Sequence, residues 1–335
     1  MLHHMARVSR NASLSFFALF LLFAGRAFCQ QSASVLCEIP VVVTRFNASS
    51  RTVELVKDLR VSDFEIRLDG GPRALESAAV DSSPKRIALI LDTSKRVPED
   101  EWTFEVQMAA KLTEYARPED RFAIVLGGAE GVGMAFESPA NTRQRLKELK
   151  SSRPAAVNSA RIYDALLAAS SLLSPVRFGD TLFLFGRPED LGSKADLNQI
   201  TESILRNRLR LYGESFYDPL AAQLPSNFDL NKPIPSAVSI PKLVNVSAAT
   251  GYYISFHAVK TLNIPGQTRL FESFLADLYA GVAEPYRLRF SQPSTNAPIK
   301  LAVSIKDAQS RELNESDIHY PRSIYACSQS AVTAN

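Results

Sequence analysis

Residues 86–92 read RIALILD, a nearly continuous apolar run that begins at Arg86 and ends at Asp92. Such a run is typical of a strand that is buried on both faces of a parallel sheet. Similar runs follow at residues 121–126 and 180–185, and segments with helical spacing separate the three. Strands that alternate with helices predict a doubly wound, mostly parallel α/β sheet. We assign this predicted α/β domain to residues 84–283.

Other elements of this domain follow from shorter patterns. Further strands are predicted at residues 132–136, 209–216 and 252–256. Helices are predicted at residues 98–116, 142–150, 160–173, 194–207, 238–250 and 269–281. The alternation of the two kinds of element therefore continues through the whole domain.

On both sides of the α/β domain the pattern changes to strands without helices. Such strands, several of them alternating apolar and polar residues, are predicted at residues 35–44, 61–68, 286–290 and 299–305. The simplest architecture joins residues 33–83 and 284–327 into one small discontinuous β domain, with the α/β domain inserted in it. Two independent β caps are the alternative. Residues 328–335 are small and polar, and we expect a disordered tail.

Composition excludes several classes of protein. The chain has 335 residues, of which 46% are hydrophobic and 22% charged, with a net charge of +3. These values exclude a wholly disordered, collagen-like or coiled-coil chain. There is no polybasic tract, so we expect no nucleic-acid partner. Three cysteines and four histidines are too few and too scattered for a zinc cluster.

The start of the chain has the pattern of a secretory signal peptide, which we assign to residues 1–29. Arg7 and Arg10 supply its positive charge, and residues 14–24 form an apolar stretch that is too short to span a bilayer. Cleavage is expected after Ala27 or Cys29. The mature protein is therefore predicted to be exported to the periplasm or secreted, with no stable membrane span; an uncleaved anchor is the alternative that the length disfavours.

Export changes the interpretation of the cysteines. Cys37 lies near the start of the mature chain and Cys327 near its end. In an oxidising compartment these two thiols are expected to form one disulfide, provided that the chain ends meet in space. The alternative is two unpaired buried thiols, and cleavage after Ala27 would leave Cys29 as an additional odd thiol.

Several motifs together carry a family resemblance. The segment IALILDTS at residues 87–94, followed by a predicted helix, resembles the first strand of a von Willebrand factor A domain, which has a Rossmann-like sheet. Over nearly its full mature length the chain resembles the bacterial VWFA-related exported proteins that are common in acidobacterial genomes. Their opening and closing β segments are similar to residues 39–44, 62–66, 284–288 and 318–322.

This resemblance implies a metal-ion-dependent adhesion site, which the residues can be checked against. The family places Asp-x-Ser-x-Ser after the first strand, a Thr in a second loop and an Asp in a third, and these oxygens bind Mg²⁺. Asp92 and Ser94 match, but Arg96 takes the place of the second Ser. Ala160 takes the place of the Thr, and Arg187 takes the place of the Asp.

Three of the five ligand positions are therefore lost, two of them to arginine. A guanidinium has no acceptor lone pair and remains charged, so we expect a degenerate site without Mg²⁺ and no other cofactor. Asp92 is expected to pair with Arg96 or Arg187. A shifted cation site that uses Asp92, Ser94 and Asp190 with waters is the alternative.

The arginines themselves suggest a binding role. At the carboxyl edge of the sheet, Arg96, Arg161 and Arg187 could converge on a carboxylate of a protein partner, since arginine matches carboxylate geometry. The alternative is three solvated loop arginines.

Enzyme signatures are weak. The glycines between Gly127 and Gly133 lack the Gly-Lys ending of a phosphate loop, and there is no Gly-x-Ser-x-Gly elbow. His257 and His319 are expected to be structural. We therefore expect an exported, non-enzymatic, adhesion-type module that binds proteins without metal. A cation-dependent adhesion module with a weakened Mg²⁺ site is the alternative.

Overall fold

The computed structural model describes residues 34–47, 52–128, 133–155, 158–216, 242–252, 254–257, 267–293, 297–306, 317–325 and 327. The predicted signal peptide and the predicted tail at residues 328–335 lie outside these residues.

The described residues form strands and helices in the alternation that the sequence predicts. The strands are β1 (Ser34–Asn47), β2 (Thr52–Leu55), β3 (Phe64–Leu68), β4 (Gly71–Arg73), β5 (Leu75–Val80), β6 (Arg86–Leu91), β7 (Arg121–Leu126), β8 (Thr181–Phe185), β9 (Arg210–Ser215), β10 (Ile254–Phe256), β11 (Tyr286–Pro293), β12 (Ile299–Ile305), β13 (Ile318–His319) and β14 (Ser323–Ile324). The α-helices are α1 (Glu99–Leu112), α2 (Pro139–Ser151), α3 (Ile162–Leu172), α4 (Leu197–Arg206), α5 (Lys242–Ala249) and α6 (Gln267–Ala283). None of the helices in the described part of the chain is long and apolar enough to cross a membrane.

Five strands form one parallel sheet in the order β10-β9-β8-β6-β7. Ile90 in β6 lies opposite Val125 on one side and Leu184 on the other, with all three strands running in the same direction. Alternate residues of the sheet enter two separate hydrophobic cores. One core includes α1, α2 and α6, and the other includes α3, α4 and α5. The mixed α/β fold with a parallel sheet that residues 86–92 predict is confirmed.

The two ends of the chain pair with each other outside this sheet. β1 pairs antiparallel with β11, and β3 pairs antiparallel with β12. The resulting sheets share one hydrophobic core, to which Ile39, Ile66 and Leu288 each contribute a fully buried side chain. We refer to residues 34–80 and 286–324 together as the β segments. The domain boundaries given above stay a prediction.

A disulfide joins Cys37 in β1 to Cys327 beyond β14. Their Cα atoms are 5.4 Å apart, although 290 positions separate them in the sequence. β1 pairs with β11, so the strands that follow α6 lie beside the first described strand. This pairing brings the two distant cysteines to the same part of the fold. The predicted disulfide is confirmed.

Several elements differ from the sequence-based expectation. β2, β4, β5 and β14 were not predicted; β5 reads LESAAV, and its alanine and serine residues have little preference for strands. The predicted strand at residues 132–136 is wrong in its described part, where only Gly133 forms an isolated bridge to β7. Residues 61–63 form a 3-10 turn ahead of β3, since the alternating pattern begins only at Phe64.

The amino edge of the parallel sheet, where β6 to β9 begin, is tied to α6 by buried charges. The Asp120 carboxylate accepts hydrogen bonds from the Lys85 backbone N–H at 2.7 Å, the Arg117 guanidinium at 3.0 Å and the Tyr279 hydroxyl. The buried Arg210 side chain donates to the Val282 carbonyl oxygen at 2.9 Å, at the end of α6. This network fixes the end of α6, immediately before β11, against the sheet.

Candidate functional site

The candidate site lies at the carboxyl edge of the parallel sheet, where β6 and β8 end. Asp92 follows β6, and its backbone N–H donates to the Phe185 carbonyl oxygen at 3.2 Å. Gly186 follows β8 with a φ of +141°, a conformation that side chains rarely adopt. A Cβ atom at Gly186 would lie 2.6 Å from Cβ of Asp92. Glycine is therefore required here, because the two chain segments pass too close for any side chain.

Arg96 holds the Asp92 carboxylate. Asp92 is fully buried, and its Oδ2 accepts hydrogen bonds from Nε of Arg96 at 3.1 Å and Nη2 at 3.0 Å. Oδ1 accepts the Ser94 backbone N–H at 2.9 Å. The Arg96 guanidinium also donates to the carbonyl oxygens of Arg187, at 3.0 Å, and Glu189. One positive charge is thus surrounded by three oxygens from two loops.

Arg187 pairs with a residue that the sequence analysis missed. Its guanidinium donates to both oxygens of Glu101, on α1, at 2.9 to 3.1 Å. Burial raises the pKa of Glu101, and the Arg187 charge opposes that rise. Of the two expected partners of Asp92, the structure therefore selects Arg96 and directs Arg187 to the first turn of the neighbouring helix.

Arg161 lies at the start of α3 and forms an ion pair with Asp164 at 2.7 Å. Burial of Asp164 favours a higher pKa, but backbone N–H groups of Ala195 and Lys194 together with Arg161 lower that pKa. The side chains of Arg96, Arg161 and Arg187 are 16%, 17% and 17% exposed, and each has an acidic partner in its own chain. The structure thus brings the three to one edge as ion pairs.

The residues that could hold a metal ion do not fit Mg²⁺. The Arg96 guanidinium lies against Asp92, and the buried Ala160 offers only a methyl group. The Asp190 carboxylate of the shifted-site alternative is already hydrogen-bonded to Tyr163 N–H at 3.0 Å and to Ser193. Of Asp92, Ser94 and Asp190, the three residues of that alternative, only Ser94 has a buried side-chain oxygen without a hydrogen-bond partner among the described residues. Within the same residues, no three His, Cys, Asp or Glu side chains are grouped to hold a metal.

Two further charged residues on this edge were missed by the sequence analysis. Arg153 donates to the carbonyl oxygens of Ser94 at 3.0 Å and Val97 at 2.9 Å, and its guanidinium lies 5.1 Å from the Trp102 ring centroid. It therefore braces the loop that carries Arg96. No sequence motif marks this role.

Glu105 on α1 is fully buried and has no hydrogen-bond partner among the described residues. Burial, together with the charges of Asp92 and Glu101, raises the pKa of Glu105 well above its usual range. A sequence signal existed, since Glu105 lies three residues after Trp102 and four before Ala109, on the apolar stripe of the helix.

A buried acid–histidine pair lies at the end of β9. Glu214 is fully buried, and its carboxylate lies 2.8 Å from Nε2 of His257. Burial raises the pKa of Glu214, and His257 opposes the rise.

No protein-family model and no curated protein matches the chain. Among solved structures, proximal thread matrix protein 1 from the mussel byssus is similar, with 12% identity, a TM-score of 0.43, and coverage of 64% of this chain and 49% of that one. This chain thus spans about half the length of the mussel protein.

Two bacterial structures are also similar. A von Willebrand factor type A protein from Catenulispora acidiphila has 11% identity and a TM-score of 0.44, covering 88% of this chain and 75% of that one. The conserved hypothetical protein BatB from Bacteroides thetaiotaomicron has 10% identity and a TM-score of 0.38, covering 58% and 98%. At these scores the similarities carry no weight for the site or the function.

Proposed function

We propose that this chain is an exported, non-enzymatic protein–protein interaction module of the adhesion type, of the bacterial VWFA-related kind. Its binding face is the carboxyl edge of a doubly wound, von Willebrand factor A-like sheet. Recognition there is independent of metal ions. The observation that carries the proposal is the Arg96 guanidinium, which places a permanent positive charge against Asp92.

Electrostatics favours recognition without a metal. Two unit charges 4 Å apart interact by about 4 kcal/mol at an effective dielectric constant of 20, and a divalent ion doubles that value. A metal ion beside Asp92 would meet this repulsion from Arg96, whose guanidinium cannot lose its proton. Arg96 therefore stands in for the cation, and the site keeps its positive charge without one.

The partner chemistry that fits this edge is an exposed carboxylate. Nη1 of Arg96 faces Oε2 of Glu189 at 3.7 Å, longer than a hydrogen bond, and the Glu189 side chain is 31% exposed. A carboxylate of a protein partner could displace this loosely held side chain and reach Arg96. Arg161 and Arg187 lie at the same edge, each in an ion pair with an acidic residue of its own chain, and a partner's carboxylate would compete with Asp164 and Glu101 for them.

Export is supported by the disulfide between Cys37 and Cys327, because disulfides persist in oxidising compartments. The predicted signal peptide at residues 1–29 agrees with this compartment. The non-enzymatic character is supported by the pairing of His257 with Glu214, which gives Nε2 of the ring a structural partner.

The first experiment measures thermal unfolding in EDTA and in millimolar Mg²⁺ or Mn²⁺. A ligand at about 100 times its dissociation constant stabilises a protein by about 2.7 kcal/mol, which raises the unfolding temperature by several degrees. We expect no shift. A shift that Asp92→Ala abolishes would overturn the proposal.

A variant that combines Arg96→Ser, Ala160→Thr and Arg187→Asp supplies the positive control, since it restores the three lost oxygen ligands. This variant is expected to gain the metal-dependent shift that the natural chain lacks. If it does not fold, Arg96→Ser alone in the same assay tests whether removal of the guanidinium admits a cation.

The second experiment tests the interaction itself. A fluorescent peptide of alternating Glu and Ser is titrated against the chain in EDTA by anisotropy. Binding is expected to persist in EDTA, to weaken with salt and to fall at least tenfold with Arg96→Gln. Arg206→Gln is the matched control, because Arg206 also pairs with an acid, Glu202, but lies on α4 away from the edge. Equal loss in both variants would contradict an edge-specific site.

A cation-dependent adhesion module is the second candidate, and the buried, unpartnered Ser94 hydroxyl is the observation that favours it. The metal titration distinguishes the two. Binding of the acidic peptide that requires Mg²⁺ would favour this candidate over the first.

A further inference from the structure

A cavity of about 250 Å³ lies where the β segments meet the parallel sheet, away from the carboxyl-edge site. Its walls come from β1 and the residues around β13 on one side and from β9 and α6 on the other. We call this space the junction cavity. Gly281 on α6 helps to form it, because a Cβ atom there would lie 3.1 Å from a methyl group of Val42. None of its lining residues belongs to the carboxyl-edge site.

Most of the lining is apolar or aromatic. Val42, Tyr212, Tyr252, Phe274 and Leu278 form the walls. The rings of Tyr212 and Tyr252 lie against each other, with centroids 4.4 Å apart. Aromatic faces attract both apolar groups and cations, because the ring carries negative charge on its faces.

The charged groups of the cavity all have one sign. Asp277 and Asp317 both line it, while none of the described lining side chains is lysine or arginine. The Asp277 carboxyl has no ion pair or hydrogen bond with any described residue, and burial raises its pKa because no cation offsets the loss of water. His319 also lines the cavity, and burial followed by the nearby Arg322 lowers its pKa, which favours the neutral ring.

We propose that the junction cavity binds a small organic ammonium ion, with its apolar body between the rings and its ammonium group at Asp277. An anion would be repelled by the two carboxylates. A bare metal ion would lose its water in a mostly apolar cavity, where the described His, Cys, Asp and Glu side chains form no group of three that could hold it. Pockets for drug-sized ligands measure about 300–1,000 Å³, so a ligand for this smaller cavity is smaller than those. The charge of Asp277 and the aromatic walls thus select the same chemical class.

The experiment is a calorimetric titration of the full chain at pH 7 with three probes of one shape. The probes are 2-phenylethylammonium, the neutral 2-phenylethanol and the anionic 3-phenylpropionate. The ammonium probe is expected to bind at least tenfold more tightly than the alcohol, and the anion is expected to show no binding. Equal affinity for the ammonium probe and the alcohol, or no binding of any probe at millimolar concentration, would overturn the proposal.

Variants test the roles of the carboxylate and the rings separately. Asp277→Asn is expected to remove the preference for the ammonium probe and to leave binding of the alcohol unchanged. Asp100→Asn, at an exposed position of α1, is the matched control and keeps the preference. Phe274→Leu is expected to weaken the binding of both the alcohol and the ammonium probe. This variant remains informative if Asp277→Asn does not fold. Binding of a lysine side chain in a peptide without binding of the free amine would count against a small-molecule site.

Discussion

Carboxylates are buried at both the amino and the carboxyl edge of the parallel sheet. Asp120 at the amino edge receives several hydrogen bonds, whereas Glu105 near the carboxyl edge receives none from the described residues. Burial of Asp120 at the amino edge would raise its pKa, yet hydrogen bonds from Arg117, the Lys85 backbone N–H and Tyr279 lower it below the usual range. Glu105 near the carboxyl edge has no hydrogen-bond partner among the described residues, and its pKa is raised well above the usual range. The pKa values of these two buried carboxyl groups are therefore shifted in opposite directions.

This difference separates an edge that stabilises the fold from the edge at which we propose binding. A buried charge stabilises a fold only when hydrogen bonds and an opposite charge replace its lost water. The amino edge meets that condition and joins α6 to the parallel sheet. The carboxyl edge meets it at Asp92 but not at Glu105, and perturbed, unsatisfied groups of this kind cluster at functional sites.

The largest expected effect is at the amino edge. Asp120→Asn removes the charge that faces Arg117 and is expected to lower the free energy of unfolding by about 3–5 kcal/mol, the range for breaking a buried ion pair. Chemical denaturation at pH 7 measures this change. Asp100→Asn is the exposed control and should lie within about 0.5 kcal/mol of the natural chain.

The pH dependence of this effect has a definite sign. Because the folded-state pKa of Asp120 is lowered, its contribution is present above the unfolded pKa of about 3.9 and is lost as the pH falls through the folded value. The difference in the free energy of unfolding between the natural chain and Asp120→Asn should therefore become smaller as the pH is lowered. A gap that stays constant down to acid denaturation would contradict the proposed network.

The second effect tests the close passage of the two loops at the carboxyl edge. Gly186→Ala is expected to cost about 2–4 kcal/mol, since it adds backbone strain and a clash with Asp92. Gly70→Ala is the matched control, because Gly70 also has a positive φ, of +82°, but no atom lies within 4 Å of its missing Cβ. Its cost should be the strain alone, about 1–2 kcal/mol. Equal costs would show that the clash is relieved.

A gain in stability is expected from Glu105→Met. Removal of a buried, unpartnered carboxyl should raise the free energy of unfolding at pH 7 by about 1–3 kcal/mol. The raised folded-state pKa means that the natural chain loses stability relative to the variant as the pH rises above about 4.3, the unfolded value. Denaturation at pH 4 and pH 8 measures the difference, with Glu114→Gln as an exposed control. A variant that is less stable than the natural chain at pH 8 would mean that Glu105 has a compensating contact.

The smallest effect concerns the exposed part of the same edge. Glu189→Gln removes the partner that faces Arg96 at 3.7 Å, and partly exposed pairs are worth up to about 1 kcal/mol. The unfolding free energy should therefore change by less than about 1 kcal/mol, whereas affinity for the acidic peptide should increase. A larger loss of stability would assign Glu189 to the structural framework of the site.

The sequence predicts the elements of this protein better than it predicts their partners. Residues 86–92, 121–126 and 180–185 contain β6, β7 and β8, because uninterrupted apolar runs of this length are typical of strands that are buried on both faces of a sheet. β5 is missed, since its small residues carry no such pattern. It is paired by β11, a strand more than 200 positions away.

The site divides in the same way. The residues Arg96, Ala160 and Arg187 can be compared with the family motif from the sequence alone, because each lies a short distance from a recognisable segment. The partners Glu101 and Glu189 cannot be predicted in this way, because they come from a helix and a loop that approach only when the sheet forms. The sequence indicates that Glu105 is unusual, because it is a charged residue on an apolar helical stripe. It does not indicate whether an opposite charge faces Glu105 in the fold.

Residue types and their spacing are enough to predict the alternation of strands and helices, the residues that stand at positions 96, 160 and 187, and the two widely separated cysteines. Each of these is a local property, set by residue type and short spacing. Three-dimensional packing sets the rest: Arg96 and not Arg187 pairs with Asp92, Asp120 is hydrogen-bonded while Glu105 is not, and a cavity lined by Asp277 and Asp317 lies between α6 and β1. Those outcomes depend on which distant groups replace the water that burial removes, and that is fixed only when the chain packs.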